Sequence, residues 1–397
     1  MAAGDAPRIT PKIVIWEELF FDLTFVFALM QFTHLLHDYH GWWGVGRTLI
    51  LFIPVYWAWG GVTLYANQRD LRSPFDRLGV LLLGLGSLLM ALAVPHAYDD
   101  LGLLFVSIYL ASRALLSVLA LRGLPDWRHV FVGPYGVFLL TGPLLLAGAF
   151  LDGTPRIAFW AAAATIDLLS PWAARHLVAQ RRTQPLHYTH RYGLLIILVL
   201  GESMIQIGMV AAEAPQTALR LVAVAAAYAV AAGLWWTYFS YGLPDFRRAL
   251  ERATDQADLR RAILIYGHLF FSFGVVAASV GLSDMVMEPV DALRFHQGML
   301  LFGGCGLFLL TFAYTRWRIY HKISWTCLGA VVACLGLAPL ATVIPAIAAV
   351  GALIVVIGLT ATREELVKRR HSGEADLPTA ATGPDEGWID RGPAHAE

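Results

Sequence analysis

Apolar residues in this chain run in blocks of about twenty, separated by short polar stretches, instead of recurring on one helical stripe or alternating as in strands. A hydrocarbon core about 30 Å thick is crossed by a helix of about 20 mostly apolar residues. Twelve windows meet that requirement: 14–37, 47–67, 77–95, 101–122, 129–151, 156–174, 192–212, 218–241, 259–282, 295–317, 323–340 and 342–362. The pattern predicts an all-α, polytopic membrane bundle of about twelve transmembrane helices. Pro339 and Pro345 flank the join between the last two windows, which also reads as one re-entrant element.

The segments between windows carry a directional charge pattern. Loops rich in Lys and Arg stay in the cytoplasm. With both termini inside, the inner segments hold 23 Lys and Arg residues, and the outer ones hold four, Arg47, Arg156, Arg220 and Arg294. The outer loops are acidic instead, with Asp38, Asp99, Asp100, Asp152, Glu213, Asp284, Glu288 and Asp291. The chain therefore divides into a cytoplasmic N-terminus (1–13), a first transmembrane half (14–178), a cytoplasmic loop (179–191), a second half (192–365) and a disordered cytoplasmic tail (371–397). The tail is rich in Gly, Pro, Ala, Asp and Glu and poor in large apolar residues. Glu17, Glu18 and Asp22 inside the first apolar run argue against a cleavable signal.

Trp59 and Tyr65 in the second window, followed by Asp70, are echoed by Trp235 and Tyr241 in the eighth, followed by Asp245, which suggests an internal repeat. Six helices per half is an even number, so the halves would be parallel. Tryptophans 42, 43, 127, 172, 317 and 325 fall near window ends, as in an aromatic belt.

Composition agrees: 57% of the 397 residues are hydrophobic and 15% charged, against about a quarter charged in soluble domains. Twenty-nine basic and 29 acidic residues cancel, which points to no nucleic-acid partner. Cys305, Cys327 and Cys334 all lie in apolar stretches, against a disulfide framework. The sequence implies no particular cofactor.

Charge inside hydrocarbon costs about 2.5–3.5 kcal/mol per group on insertion scales, so such groups face a partner or water. Glu202, Asp167, Arg113 and His268 fall deep in their windows, with Asp22 nearer the cytoplasm, which suggests one polar layer across the bundle. Glu18 and Asp22 are four residues apart and share a helical face, as do Glu202 and Gln206. The carboxylates could share a proton, pair with Arg113 or hold a hard cation. The plain alternative is that buried ionic pairs merely fix helix packing. At the outer end of the first window, His34, His37 and Asp38 have spacing suited to a metal, with His40 nearby. Histidine at a wet interface is the simpler reading there. His187, His190 and Arg191 read as a basic interfacial cluster meeting lipid phosphates.

Two segments stand out: one runs Trp16-Glu17-Glu18-Leu19-Phe20-Phe21-Asp22-Leu23-Thr24-Phe25-Val26-Phe27 and ends in Gln31-Phe32-Thr33-His34; the other is Arg191-Tyr192-Gly193-Leu194 through Leu200-Gly201-Glu202-Ser203. Both resemble the bacterial low temperature requirement protein A family. The resemblance covers about 14–365 and implies an integral membrane protein, but no settled activity. The residues favour an ion- or proton-coupled secondary transporter, with Glu18, Asp22, Arg113, Asp167, Glu202, Gln206 and His268 as substrate- or ion-binding groups. A membrane-embedded enzyme acting on a lipid or isoprenoid is the alternative, and a membrane sensor or structural protein a third. The expected partners are the bilayer and a small solute, ion or lipid. The expected location is the bacterial inner membrane.

Overall fold

A computed structural model describes residues 12, 14–39, 41–71, 73–122, 135–173, 184–253 and 256–375, the side chains of 367–375 excepted. The described residues form helices, turns and no strands. Twelve helices coincide with the twelve apolar windows. The first half comprises α1 (Trp16–Asp38), α2 (Gly41–Gln68), α3 (Pro74–His96), α4 (Gly102–Leu121), α5 (Phe138–Ala149) and α6 (Thr154–Ala173). The second comprises α7 (Pro185–Ala212), α8 (Ala218–Arg252), α9 (Gln256–Met287), α10 (Phe295–Tyr320), α11 (Trp325–Leu340) and α12 (Ala346–Ala375). Nine of these, α1–α4, α7–α10 and α12, are long and apolar enough to cross a membrane among the described residues. The described α5 and α11 are shorter, and α6 carries Arg156 and Asp167.

The helices are turned outward as lipid would require. Along α3, Leu78, Leu81, Leu82, Leu85, Leu89 and Leu92 all face out, while Val80, Leu83, Gly84, Ser87 and Met90 face in. Water offers no reason to display a leucine stripe; a bilayer does. Small residues bring backbones together inside. A methyl group added to Gly304 of α10 would lie 2.5 Å from the Gly274 carbonyl oxygen and 2.6 Å from the Ala278 nitrogen of α9.

Within the first half, α1 packs on α2 and α3, α3 on α4, α4 on α5, α5 on α6 and α6 on α2. In the second, α7 packs on α8 and α9, α9 on α10, α10 on α11, α11 on α12 and α12 on α8. The halves meet through α1 and α2 against α7 and α9.

Two helices change winding. α8 has a π-helical turn at Tyr238–Gly242, just before Pro244, whose missing N–H interrupts the hydrogen-bond ladder. α9 is π-wound over Arg260–Gly267, where the Tyr56 hydroxyl of α2 donates to the Ile265 carbonyl at 2.8 Å.

Two boundaries differ from the sequence expectation, the start of α7 and the end of α12, while the join at Pro339–Pro345 resolves into two helices as the separate windows predict. α7 begins at Pro185, so His187 and Arg191 belong to the helix and not to a loop ending at 191. α11 and α12 are separate helices, and their turn is tied to the α9–α10 loop by Leu293 N–H to Ala341 O and Ala346 N–H to Asp291 O, both 2.9 Å. α12 continues to Ala375, five residues into the predicted tail; 376–397 lie outside the described residues. The echoed tryptophans also differ, since Trp59 is buried and Trp235 faces outward.

Because Gly304 sits against backbone, Gly304→Ala should cost about 1–3 kcal/mol. Gly303→Ala, with only the Met299 methyl 4.0 Å away, should leave stability unchanged. Thermal unfolding of the two variants in the same detergent compares them directly.

Candidate functional site

The two signature segments meet. α1 and α7 lie side by side, and three of the side-chain pairs that link them share one interval. Glu18 faces His187, Asp22 faces Arg191 and Thr33 faces Glu202, each pair 169 residues apart. A constant difference in residue number, unlike a constant sum, means that the helices run in the same direction.

At the end near the helix starts, the contact is ionic and enclosed. Arg191 grips Asp22 with both terminal nitrogens, Nη1 to Oδ2 at 2.6 Å and Nη2 to Oδ1 at 2.9 Å. Its Nη1 also donates to the Glu18 carbonyl at 3.1 Å and its Nη2 to the Thr63 hydroxyl at 3.4 Å. Its Nε lies 3.3 Å from Glu18 Oε2 without hydrogen-bond geometry. The Trp59 indole donates to Asp22 Oδ1 at 2.9 Å. Glu18, Asp22, His187 and Arg191 are all buried.

The tautomer of His187 follows from its neighbour. Gln184 N–H donates to Asn67 Oδ1 at 3.2 Å, and Asn67 Nδ2 donates to Gln184 O at 3.1 Å, which fixes the amide. Asn67 Nδ2 then donates to His187 Nδ1 at 3.2 Å, leaving Nε2–H to donate to Glu18 Oε1 at 3.2 Å. Lys12 caps the end of α2 by donating to the carbonyls of Ala66 and Arg69.

Two expectations are corrected here. Arg113 is not the partner of Glu18 and Asp22; Arg191 is. His187 and Arg191 are not a lipid-facing cluster, because burial against two carboxylates leaves them no access to headgroups. Arg113 instead donates to the Trp57 carbonyl at 3.3 Å and is the electrostatic neighbour of Asp167. Asp167 accepts from the Tyr109 hydroxyl at 3.2 Å.

Further along, the same interface is polar but carries no cation. The Thr33 hydroxyl donates to Glu202 Oε1 at 3.2 Å and lies 3.5 Å from the Ser279 hydroxyl of α9. Glu202 Oε2 is buried and meets no hydrogen-bond geometry among the described residues, although the Gln206 side chain one turn on interacts with the carboxylate. No Lys, Arg or His among the described residues forms an ion pair with Glu202. Gln206 sits one turn on, and its Nε2 is 3.3 Å from Nε2 of the outward-facing His34.

His268 lies in an aromatic box of Tyr192, Tyr238, Phe246 and Phe271. Its Nδ1–H donates to the Ile263 carbonyl at 3.0 Å, so Nε2 accepts from the Tyr238 hydroxyl at 2.6 Å.

The expected single layer thus resolves into four separate settings: Glu18–Asp22, Glu202–Gln206, Asp167–Arg113 and His268. Arg191 and Glu202 are about 16 Å apart along α7. The metal expectation at His34, His37 and Asp38 also fails to assemble. His34 turns to Gln206, and His37 lies 3.5 Å from Asp38 and 3.7 Å from Asp284. No three His, Cys, Asp or Glu among the described residues are grouped to hold a metal; His40 lies outside them. Sequence reasoning missed Thr33, Trp59 and Ser279, and misread His187 and Arg191.

A buried helical bundle with outward leucines and charges neutralised in its interior defines an integral membrane protein. The chain matches the family described as bacterial low temperature requirement A protein (LtrA) over residues 13–362, and it belongs to that family. An uncharacterized protein of Rhizobium meliloti (strain 1021) is 27% identical over 317 residues, covering 76% of each chain. No solved structure matches.

Breaking a buried pair by removing one partner costs about 3–5 kcal/mol. Arg191→Met should therefore lower the unfolding temperature sharply, and adding Glu18→Gln and Asp22→Asn should recover much of the loss. A headgroup-binding arginine would show neither effect in detergent.

Proposed function

We propose that this chain is an ion-coupled secondary carrier of the bacterial cytoplasmic membrane, with both termini inside and twelve crossings in two parallel six-helix halves. The like order of helix packing in α1–α6 and α7–α12 supports the two halves. So does the interval of 169 residues shared by three facing pairs of α1 and α7. The described fifth helix of each half is short and carries a proline, Pro143 or Pro339, and such corresponding interruptions are a mark of carriers built from repeats. The excess of Lys and Arg on alternate loops supports the orientation.

One observation carries the functional reading. Glu202 is a carboxylate buried where the halves meet, with one oxygen unmatched and no ion-pair partner among the described residues. A carboxylate in hydrocarbon is costly unless a proton or cation neutralises it. A group that must take up a cation to be stable, at an interface between two parallel halves, is suited to couple ion movement to a change of conformation. Gln206 and His34 connect it to the outside of the bundle. Asp22, paired with Arg191 through two hydrogen bonds, and Glu18, which accepts from His187 Nε2–H beside the same guanidinium, are the fixed contact about which the halves would move. Asp167 and Arg113 within the first half, and His268 at the π-wound part of α9, hold helix geometry on either side. The solute carried is a small molecule or ion.

Purified protein in sealed liposomes should move charge or solute when an ion gradient is imposed. Glu202→Gln keeps the side-chain shape and should abolish that movement while leaving the protein folded. Unchanged flux in this variant would remove Glu202 from the coupling step.

A further inference from the structure

The oxygens around Glu202 are arranged more openly than hydrogen bonding alone requires. Hydroxyl hydrogen bonds to oxygen usually measure about 2.7–2.8 Å. Here Thr33 Oγ1 is 3.2 Å from Glu202 Oε1 and 3.5 Å from Ser279 Oγ. The three side chains come from three helices, α7, α1 and α9, and each is at least nine-tenths buried. Two backbone carbonyls stand beside them. Leu29 O is 3.4 Å from Thr33 Oγ1, and Val276 O is 2.8 Å from Ser279 Oγ. Glu202 Oε2 meets no hydrogen-bond geometry among the described residues, and neither does the buried hydroxyl of Ser272, two turns from Ser279.

We propose that Glu202, Thr33 and Ser279 form a binding site for a dehydrated monovalent metal cation of the size of sodium. Hard cations take oxygen ligands of this kind. Sodium binds oxygen at about the calcium distance, ~2.4 Å, so neighbouring ligands in a six-coordinate shell sit about 3.4 Å apart. Magnesium, at about 2.0–2.1 Å, would need them closer, near 2.9 Å. Potassium is larger and would need them wider. Charge selects between sodium and calcium. One carboxylate and neutral hydroxyls balance a single positive charge, whereas a divalent ion would leave net charge in the low-dielectric interior. Gln206, one turn from Glu202 and in contact with outward-facing His34, supplies a polar approach.

As the coupling ion, sodium rests on the carrier reading; as a bound ion it rests on this geometry alone. The test uses the full-length chain in nanodiscs of phosphatidylethanolamine and phosphatidylglycerol. Radioactive sodium binding is measured at constant ionic strength against potassium and choline, with thermal unfolding in the same salts. Saturable sodium binding, at least about tenfold preferred over potassium, is expected, together with stabilisation by sodium only. The near-isosteric Thr33→Val and the smaller Ser279→Ala should each weaken it about tenfold, and Glu202→Gln should abolish it. Folded wild-type protein without sodium-dependent binding overturns the site. In liposomes, ion-driven flux that continues unchanged without sodium assigns the coupling to protons and overturns sodium as the coupling ion, while the carrier reading stands. Sodium binding without any flux leaves the site intact and overturns the carrier.

Discussion

One guanidinium organises the interface between the halves. Arg191 neutralises Asp22 through two parallel hydrogen bonds, lies against Glu18 and reaches the Thr63 hydroxyl, so α1, α2 and α7 are held at one point. Bidentate geometry fixes direction as well as distance, which a lysine ammonium would not. Charges so deeply buried are tolerated only when each finds its opposite. The neighbouring residues complete that requirement: Trp59 satisfies a second Asp22 lone pair, and the Gln184–Asn67–His187 chain delivers an N–H to Glu18.

From this point an aromatic path leads towards the irregular part of the second half. Arg191 lies over Trp59, Trp59 meets Tyr192 edge-on at 5.1 Å, and Tyr192 meets His268 at 4.8 Å. His268 Nδ1–H and the Tyr56 hydroxyl donate to the Ile263 and Ile265 carbonyls of the π-wound stretch of α9, satisfying carbonyls whose usual partners are displaced. The two ends of the α1–α7 contact therefore differ in kind. One is a closed electrostatic clasp continuous with a rigid aromatic core; the other is a hydroxyl-lined carboxylate with spare bonding capacity.

Much of this was legible in the sequence. Among the described residues every apolar window contains a helix, nine of them long and apolar enough to cross a membrane, because continuous apolar runs admit little else in a bilayer. The deep carboxylates were found from their insertion cost alone. Their partners were not, because periodicity reports the face of a helix and never which helix it meets. Depth alone points to Arg113 as the counter-charge, yet Asp22 is gripped by Arg191, and Arg113 turns to the Trp57 carbonyl and Asp167. Arg191 was discounted because it precedes an apolar window, and a helix that starts early turns an interfacial residue into a core one. A usable signal was present: Glu18 and Asp22 are spaced four apart, and so are His187 and Arg191. Matching intervals of acid and base on two helices that open the two halves point to a ladder between them. Thr33 and Ser279 carried no such mark, since hydroxyls in membrane helices commonly bond their own backbone.

The clasp also makes α1 and α7 opposite in charge character. Acids occupy its positions on α1, and an arginine and a histidine occupy the facing positions on α7. Two copies of the first half placed together would bring four carboxylates into one dry contact, and two copies of the second would leave two arginines facing each other. Self-association of either segment is thereby penalised, and only the mixed combination sets the acids against an arginine and an N–H donor. A chain that carries both segments in one polypeptide guarantees that each meets its complement at equal stoichiometry.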